Sequence, residues 1–337
     1  MILVLNCGSQ SLKWKLFDEN LRLSEQGGAD IFDSENYEKI IEKEILKIKN
    51  KDKISAIGHR VVHGAGIFTK PLKITEDSLK KLEKFNYLAP LHNPYSILGI
   101  KACNNIFKDI AQTAVFDTEF FSDLPKKAVT YGLPENIVKE FNFRRFGFHG
   151  ISHEYSAKKA AEKIKKPFNK LKIITCHLGG GSSITAIRNG KAIDTSMGFT
   201  PQEGLIMMTR PGNIDAGIIL ELVKKYGADK TTDILNKESG LKGICGRNNM
   251  IKILEMVKLN NEKAKLALDV FVYSAQKYIG AYYAILGGCD ILVFTGSIGS
   301  GNKITRNTIC KGLPIIKKVK ILAIEANEEL AIAQKII

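Results

Sequence analysis

Two stretches of this chain are written to one plan, and that repeat narrows the possible folds more than any single motif does. The first, ILVLNCGSQSLKWKLFD at residues 2–18, reads as an apolar strand, a polar residue (Asn6), a glycine turn (Gly8) with Ser9 and Ser11, and an alternating strand. The second, Leu171–Thr195, reads as an apolar strand, the turn Gly179-Gly180-Gly181, Ser182 and Ser183 on a second strand, and an Asn189-Gly190 hairpin into a third. Ile173, Ile174 and Thr175 favour strands, glycine reaches backbone angles closed to other residues, and Asn-Gly is a strong two-residue hairpin signal. Val4–Ser9 and Thr175–Gly180 share one layout. Bare backbone N–H groups beside hydroxyls can wrap a phosphate, although each turn taken alone is equally an ordinary tight hairpin. Two copies at the head of two halves imply an internal duplication: two similar lobes closing on one polyphosphate.

At 337 residues the chain is too long for one typical core and suits two domains. Its 44% hydrophobic and 25% charged content is that of a soluble globular protein. No basic region precedes an apolar run at the N-terminus and no apolar segment reaches spanning length, so neither a leader nor a membrane association is expected. Six cysteines scattered without CxxC spacing fit a reducing cytoplasm. The net charge of +15 comes from lysines spread over helix-like stretches such as 158–172 and 311–320, with no aromatic-interleaved basic motif. A solvated basic surface that favours anionic substrates is therefore expected, and no nucleic acid partner.

Along the chain, apolar spacing predicts a helix over 34–53, then a strand over 54–65 that carries His59, Arg60 and His63. An arginine in an apolar strand needs an anionic partner, either an internal carboxylate or a bound anion. A helix capped by Thr75 follows, then a fixed loop at 88–94, a helix from Ser96 and a buried strand over 111–121. That strand meets Asp117 near its carboxyl end, where α/β folds place chemistry and where a plain helix cap is the other reading. RRFGFHGISH precedes a helix from Ser156; Gly150 between His149 and His153, and no glutamate at zincin spacing, argue against a metal pair. All six histidines fall between His59 and His177, which hints at a shared site. Asp194–Asp215 is a long loop with one basic residue, Arg210, and long loops in compact domains are usually functional. Helices over 216–226 and 230–236, a glycine-rich turn over 239–247 and a long helix over 266–286 lead to Asp290–Gly301, a third phosphate- or nucleoside-approach loop. A strand over 319–324 and a helix opening at Asn327 close the chain.

The blocks NCGSQSLK, GHRVVHG, APLHNP, VFDT, RRFGFHGISH, HLGGGSS, DTSMGFTPQEGL, TRPGNID, KYIGAYYA, VFTGSIG and NEELAIA run through nearly the whole chain. Through them it resembles the acetate kinase family, of the acetate and sugar kinase, heat-shock chaperone and actin superfamily. The resemblance implies an α/β architecture: a duplicated actin-like (ribonuclease H-like) two-domain fold with mixed sheets and an interdomain active-site cleft. It puts one lobe at 1–121 plus 330–337, and the other, with the nucleotide side and dimer interface, at 122–329. It implies reversible transfer between ATP and acetate, giving acetyl phosphate and ADP, with Mg2+ (or Mn2+) and a homodimer.

Residue by residue, the resemblance makes Asn6 and Glu328 metal ligands and puts Ser9, Ser11 and Lys13 on the phosphate side. Arg60 and Arg210 clamp the carboxylate and the transferring phosphoryl group, His149 hydrogen-bonds that group, and Asp117 stands near the reacting oxygen. His92 and Asn93 stand behind them. Val62, Leu91, Phe148 and Pro201 match the pocket for the acetate methyl, and a valine at 62 favours acetate over propionate or butyrate. The nucleotide side is matched by His177, Leu178, Gly179, Gly180, Gly181, Met250, Ile251, Lys252, Ser297, Ile298, Gly299, Ser300 and Gly301. Phosphoryl transfer to a carboxylate brings anion to anion, so two permanently charged guanidinium forks suit it. Acetate is already ionised near pH 7, so Asp117 is expected to orient an arginine or the magnesium shell rather than remove a proton.

Several positions depart from the family pattern. Gln10 replaces a serine, Gly180 an asparagine, Met250-Ile251-Lys252 an Asp-Phe-Arg, and Gly296–Asn302 a GGIGENS. The chain is also shorter before Arg60 and between Gly301 and Asn327. Either ATP is still held through backbone contacts, or the donor is another nucleotide or pyrophosphate. A non-catalytic nucleotide-binding relative is the remaining class, disfavoured by retention of Asn6, Arg60, Asp117, His149, Arg210 and Glu328. Within the helix over 266–286, Phe271, Tyr273, Tyr278, Tyr282 and Tyr283 serve either a dimer interface or the core.

Overall fold

The structure, a computed structural model, describes residues 1–9, 11–31, 36–90 and 92–337; Gln10, Ser34 and Leu91 lie outside the described residues. The chain forms two compact units, one of Met1–Ser122, His149–Ser152 and Asn327–Ile337, the other of Asp123–Phe148 and His153–Ala326.

The first unit holds strands β1 (Ile2–Cys7), β2 (Ser11–Phe17), β3 (Leu23–Asp30), β4 (Ala56–Val61), β5 (Leu72–Lys73) and β6 (Ala111–Phe116), in the order β3-β2-β1-β4-β6-β5. β1, β4 and β6 run parallel, with β2, β3 and β5 antiparallel to their neighbours. β1 is a nearly unbroken apolar run because both faces of the sheet are covered. Helices α1 (Tyr37–Leu46) and, beyond α2 (Glu76–Glu83), α3 (Asn93–Ile106) pack together beside β1, and the C-terminal helix Glu328–Ile336 packs on β1 and β4. The polar strand β3 lies at the edge, where exposure is tolerated.

The second unit holds β7 (Lys172–Leu178), β8 (Ser182–Arg188), β9 (Lys191–Thr195), β10 (Ile291–Thr295) and β11 (Lys320–Ala323), in the order β11-β10-β7-β8-β9. From β11 across the sheet, two parallel pairings are followed by two antiparallel ones. Order and sense repeat those of β6-β4-β1-β2-β3, so the duplication read from the two hairpins extends to five strands. The register agrees as well: Cys7 pairs with Leu12 and Leu178 with Ser182 at the mouths of the two turns. Asn6 and His177 therefore occupy equivalent positions. Asn189 and Gly190 both adopt positive φ, +53° and +81°, as a tight primed turn requires. The long helix Glu262–Leu286 lies over this sheet, with Phe271 and Tyr282 in the core and Tyr273 exposed. Most of its aromatic content thus serves packing.

Several helix limits differ from those expected. The helix expected over 34–53 is only α1 plus a 3-10 turn at Lys51–Lys53. The Glu25 carboxylate accepts hydrogen bonds from the N–H groups of Lys49 and Asn50, which diverts the backbone from the helix. α3 opens at Asn93 because Pro94 sits in its first turn, where a missing N–H costs nothing. The helix expected from Ser156 opens at Gly150, whose N–H is taken by the Asp117 carbonyl. The glycine-rich turn at 239–247 contains the helix Gly240–Cys245, closed by Gly246 in the left-handed region. The two helices expected over 216–236 are separated as expected, at Gly227, whose backbone at φ +77° is not helical; the second reaches Asp233. Among the described residues no helix is long and apolar enough to cross a membrane.

Gly58 on β4 is the point where the C-terminal helix presses on the first sheet. A Cβ there would lie 2.7 Å from Ile332 and 3.0 Å from Ile336. Gly58→Val should lower unfolding stability by about 1–3 kcal/mol through overpacking, read by denaturant titration; an unchanged midpoint would contradict this packing.

Candidate active site

The end of β4 carries Arg60, and the residue after β6, its parallel neighbour, is the buried Asp117. The two meet as a fork: Arg60 Nε to Asp117 Oδ1 at 3.0 Å and Nη2 to Oδ2 at 2.7 Å. Of the two partners considered for this strand arginine, the internal carboxylate is the one present. The remaining Nη1 lies 3.5 Å from Asn6 Oδ1 and 3.4 Å from Glu328 Oε2. Burial works against the Arg60 charge, but Asp117 and Glu328 outweigh it and hold the guanidinium charged. Asn6 in turn donates to Glu329 at 3.3 Å, and Lys15 pairs with Glu329 at 3.0 Å and with Asn327 at 2.9 Å. The N-terminus of the last helix is thereby fixed beside β1.

Asp117 also shapes the His149 segment. Its carboxylate accepts the His149 backbone N–H, and its carbonyl accepts Gly150 N–H at 2.9 Å. His149 sits at φ +58°, in the left-handed region, next to Gly150, where a Cβ would lie 2.2 Å from the Asp117 oxygen. Behind Arg60, the buried Asn93 side chain accepts from His63 N–H and donates to His63 C=O, both at 3.0 Å. Val62 is buried within that braced turn, and half-buried His92 precedes α3. Leu91 lies outside the described residues. Ser9 and Ser11 are half-buried on the first hairpin turn, which Gly8 N–H closes on Ser11 O at 2.9 Å; Lys13 is exposed.

In the second unit Arg210 has a different setting. Its Nη1 donates to the Pro201 carbonyl at 2.6 Å, and among the described residues no carboxylate lies against it. Burial pushes its guanidinium down to about 10, still charged near neutrality. The turn carrying it is closed by Met207 N–H on Arg210 O at 3.0 Å and braced by Leu241 and Lys242 N–H on the carbonyls of Met207 and Met208. Gly240, at φ +65°, passes so close that a Cβ would lie 2.2 Å from the Met207 oxygen. Phe148 is buried and Pro201 half-buried in this unit.

The glycine loops of the second unit lie together. Gly296, at φ +80°, passes under Leu178, and Ser297 Oγ would lie 3.5 Å from a Cβ on Gly179. Gly181 O accepts Gly179 N–H at 3.0 Å, His177 is half-buried at the strand end, and Ile298 and Gly299 are buried. Ser300 returns to the Gly296 carbonyl at 2.9 Å, and Gly301 is exposed. Gly180 faces open space. Met250 is turned into the core at the start of a helix, while Ile251 and Lys252 on the same turn are exposed.

Asn6 Oδ1 and Glu328 Oε2 converge on one Arg60 nitrogen, two hard oxygen donors of the kind that hold Mg2+ alongside water and substrate phosphates. Among the described residues no group of three or more His, Cys, Asp or Glu could hold a metal unaided. Sequence reading missed Glu203, Arg145 and Tyr131, which meet in a polar cluster beside the Arg210 segment. The only signal in the sequence was one acid, Glu203, in a glycine-bearing stretch and the Arg144-Arg145 pair among aromatic residues.

Comparison with known proteins gives one family. The model of the acetokinase family matches residues 29–334. An acetate kinase of Carboxydothermus hydrogenoformans is 42% identical over 388 residues, covering 99% of this chain and 98% of the relative. That aligned span exceeds the 337 residues here, as internal segments missing from this chain would produce. The Porphyromonas gingivalis acetate kinase structure matches with a TM-score of 0.87 at 34% identity, covering 99% of this chain and 98% of that one. The structure of a Francisella tularensis propionate kinase matches with a TM-score of 0.91 at 35% identity over the same shares. The chain belongs to the acetokinase family.

Proposed function

We propose that this protein catalyses reversible, Mg2+-dependent phosphoryl transfer from ATP to acetate, giving acetyl phosphate and ADP by direct in-line transfer. The observation that carries the reading is Arg210, a half-buried charged guanidinium against which, among the described residues, no carboxylate of its own chain lies. Such a group is stabilised by an anion from outside. The reading assigns Arg60 and His149 to the same transferring group, with Asp117 orienting the Arg60 fork and bending the backbone at His149. Asp117 is a poor candidate for a general base, because acetate is ionised already and the carboxylate is engaged twice. Asn6 and Glu328 would hold Mg2+, which neutralises donor phosphate charge when bound. Positioning and electrostatics are the bulk of catalysis in this reaction class.

The same reading takes the protein as cytoplasmic and homodimeric. All six cysteines are free. The helix Ala216–Asp233 leaves Ile218, Leu220, Val223 and Tyr226 exposed, and its single fully buried residue is Thr231, an apolar face that a second copy would cover. Val62 leaves the preference for acetate over propionate as proposed, although the neighbouring structures include a propionate kinase.

A second reading concerns the donor. Met250 in the core, exposed Ile251 and side-chain-free Gly180 supply little to recognise adenosine, which favours a donor other than ATP. Acetyl phosphate formation assayed with ATP, GTP and pyrophosphate side by side decides it: saturation by ATP at ordinary affinity rejects the second donor, and no product with any donor rejects the kinase reading. Arg210→Ala should cut turnover about 100- to 1,000-fold while ATP binding by calorimetry stays within about twofold. Position 180 has room and no left-handed backbone, so Gly180→Asn should fold normally and tighten ATP binding by about 3- to 10-fold, one good hydrogen bond's worth. An unchanged ATP affinity would remove Gly180 from the nucleotide site.

A further inference from the structure

The segment 196–215 has no regular secondary structure, yet it has to present Arg210 as a fixed cation. What fixes it is a polar cluster that none of the roles above uses. Glu203 accepts hydrogen bonds from the Tyr131 hydroxyl and from Arg145 Nη2, both at 2.5 Å. Both partners are tied to the start of the same segment. Arg145 Nη1 donates to the Ser196 carbonyl at 3.3 Å, and the Tyr131 oxygen accepts Phe199 N–H at 2.9 Å. The N–H groups of Phe146 and Gly147 converge on the Gly198 carbonyl at 3.0 and 3.3 Å. The interior is filled: a Cβ on Gly198 would lie 1.7 Å from Glu203 Oε2 and 2.2 Å from the Tyr131 oxygen.

Between Gly198 and Glu203 lies Pro201, whose carbonyl accepts, among the described residues, the one hydrogen bond of the Arg210 guanidinium. The direction of that fork therefore depends on where the 196–203 strap places one oxygen. Burial raises the Tyr131 hydroxyl, so it remains a donor, and Glu203 holds Arg145 charged against burial. The clasp is neutral overall, since one carboxylate faces one guanidinium.

We propose that Glu203 is a positioning residue, whose carboxylate, clasped by Arg145 and Tyr131, fixes the 196–203 strap and so aims Arg210 at the anionic substrate. This rests on the assignment of Arg210 to phosphoryl and acetate binding. A displacement of an aimed group by about 1 Å costs on the order of 100-fold in rate, so losing the clasp should tell on turnover before stability.

The test compares wild type with Glu203→Gln, Tyr131→Phe, Arg210→Lys and the Glu203→Gln/Arg210→Lys double variant, using ATP and acetate. Glu203→Gln and Tyr131→Phe should each lower kcat about 10- to 100-fold, with KM for ATP within about twofold and a near-native thermal midpoint. In the double variant the Glu203 loss should nearly vanish, because both changes act through one guanidinium. Full kcat in Glu203→Gln, losses that multiply in the double variant, or unfolding of both single variants would each overturn the proposal. A wild type that forms no acetyl phosphate defeats the kinase reading by itself. The clasp is then decided by the thermal shift that inorganic phosphate produces: it should shrink in Glu203→Gln as in Arg210→Ala, and an undiminished shift in Glu203→Gln overturns it.

Discussion

The fork between Arg60 and Asp117 is the contact on which the chemistry of the first unit rests. Strand β4 is largely buried around Arg60, so a charge at its end is tolerable only with a partner brought by the neighbouring strand. Parallel pairing of β4 with β6 supplies it, because Asp117 follows the last paired residue of β6. The same carboxylate accepts the His149 N–H, and the same residue's carbonyl accepts that of Gly150. One aspartate thus orients an arginine and sets a left-handed histidine, and these two candidate site residues share one anchor. A charge-assisted bidentate pair has the geometric definition that such a double task needs.

The two arginines singled out by the sequence are prepared in opposite ways. Arg60 is saturated on two of its three nitrogens by its own chain, and its third touches Asn6 and Glu328 only at the limit of hydrogen bonding. Among the described residues Arg210 meets one carbonyl and no carboxylate, so its own unit offsets less of its desolvation than Asp117 and Glu328 do for Arg60. Electrostatic attraction for a free anion therefore resides more in Arg210, and orientation more in Arg60.

The fold was legible because its signals are local. Apolar runs bounded by glycine turns mark the parallel strands, and Asn189-Gly190 marks a hairpin that the backbone confirms. Helix starts were less legible, since Gly150 begins a helix through a bond to Asp117, thirty-three residues away in sequence by their numbering. The setting of Arg210 was illegible for the same reason. It needs Gly240 and the helix behind it, and a clasp between Arg145 and Glu203 separated by 58 residues. Charged residues in motif positions announce themselves; the groups that hold them do not.

The duplication makes a further point about how the two sheets diverged. Registering Asn6 on His177 puts Arg60, one step beyond the His59–Leu5 pair, at the place of Thr295, which pairs with His177. At this place the first sheet presents a guanidinium. The second presents a threonine whose buried hydroxyl has no hydrogen-bond partner among the described residues, followed by Gly296 in the left-handed region. A Cβ at 296 would lie 2.6 Å from the Leu178 carbonyl oxygen, so a bulky side chain is excluded there by backbone. One copy of the motif evolved toward side-chain charge and the other toward bare backbone. Recognition by backbone leaves few side-chain identities to read, which is why the motifs of the first sheet resolve into roles and those of the second resolve only into glycines.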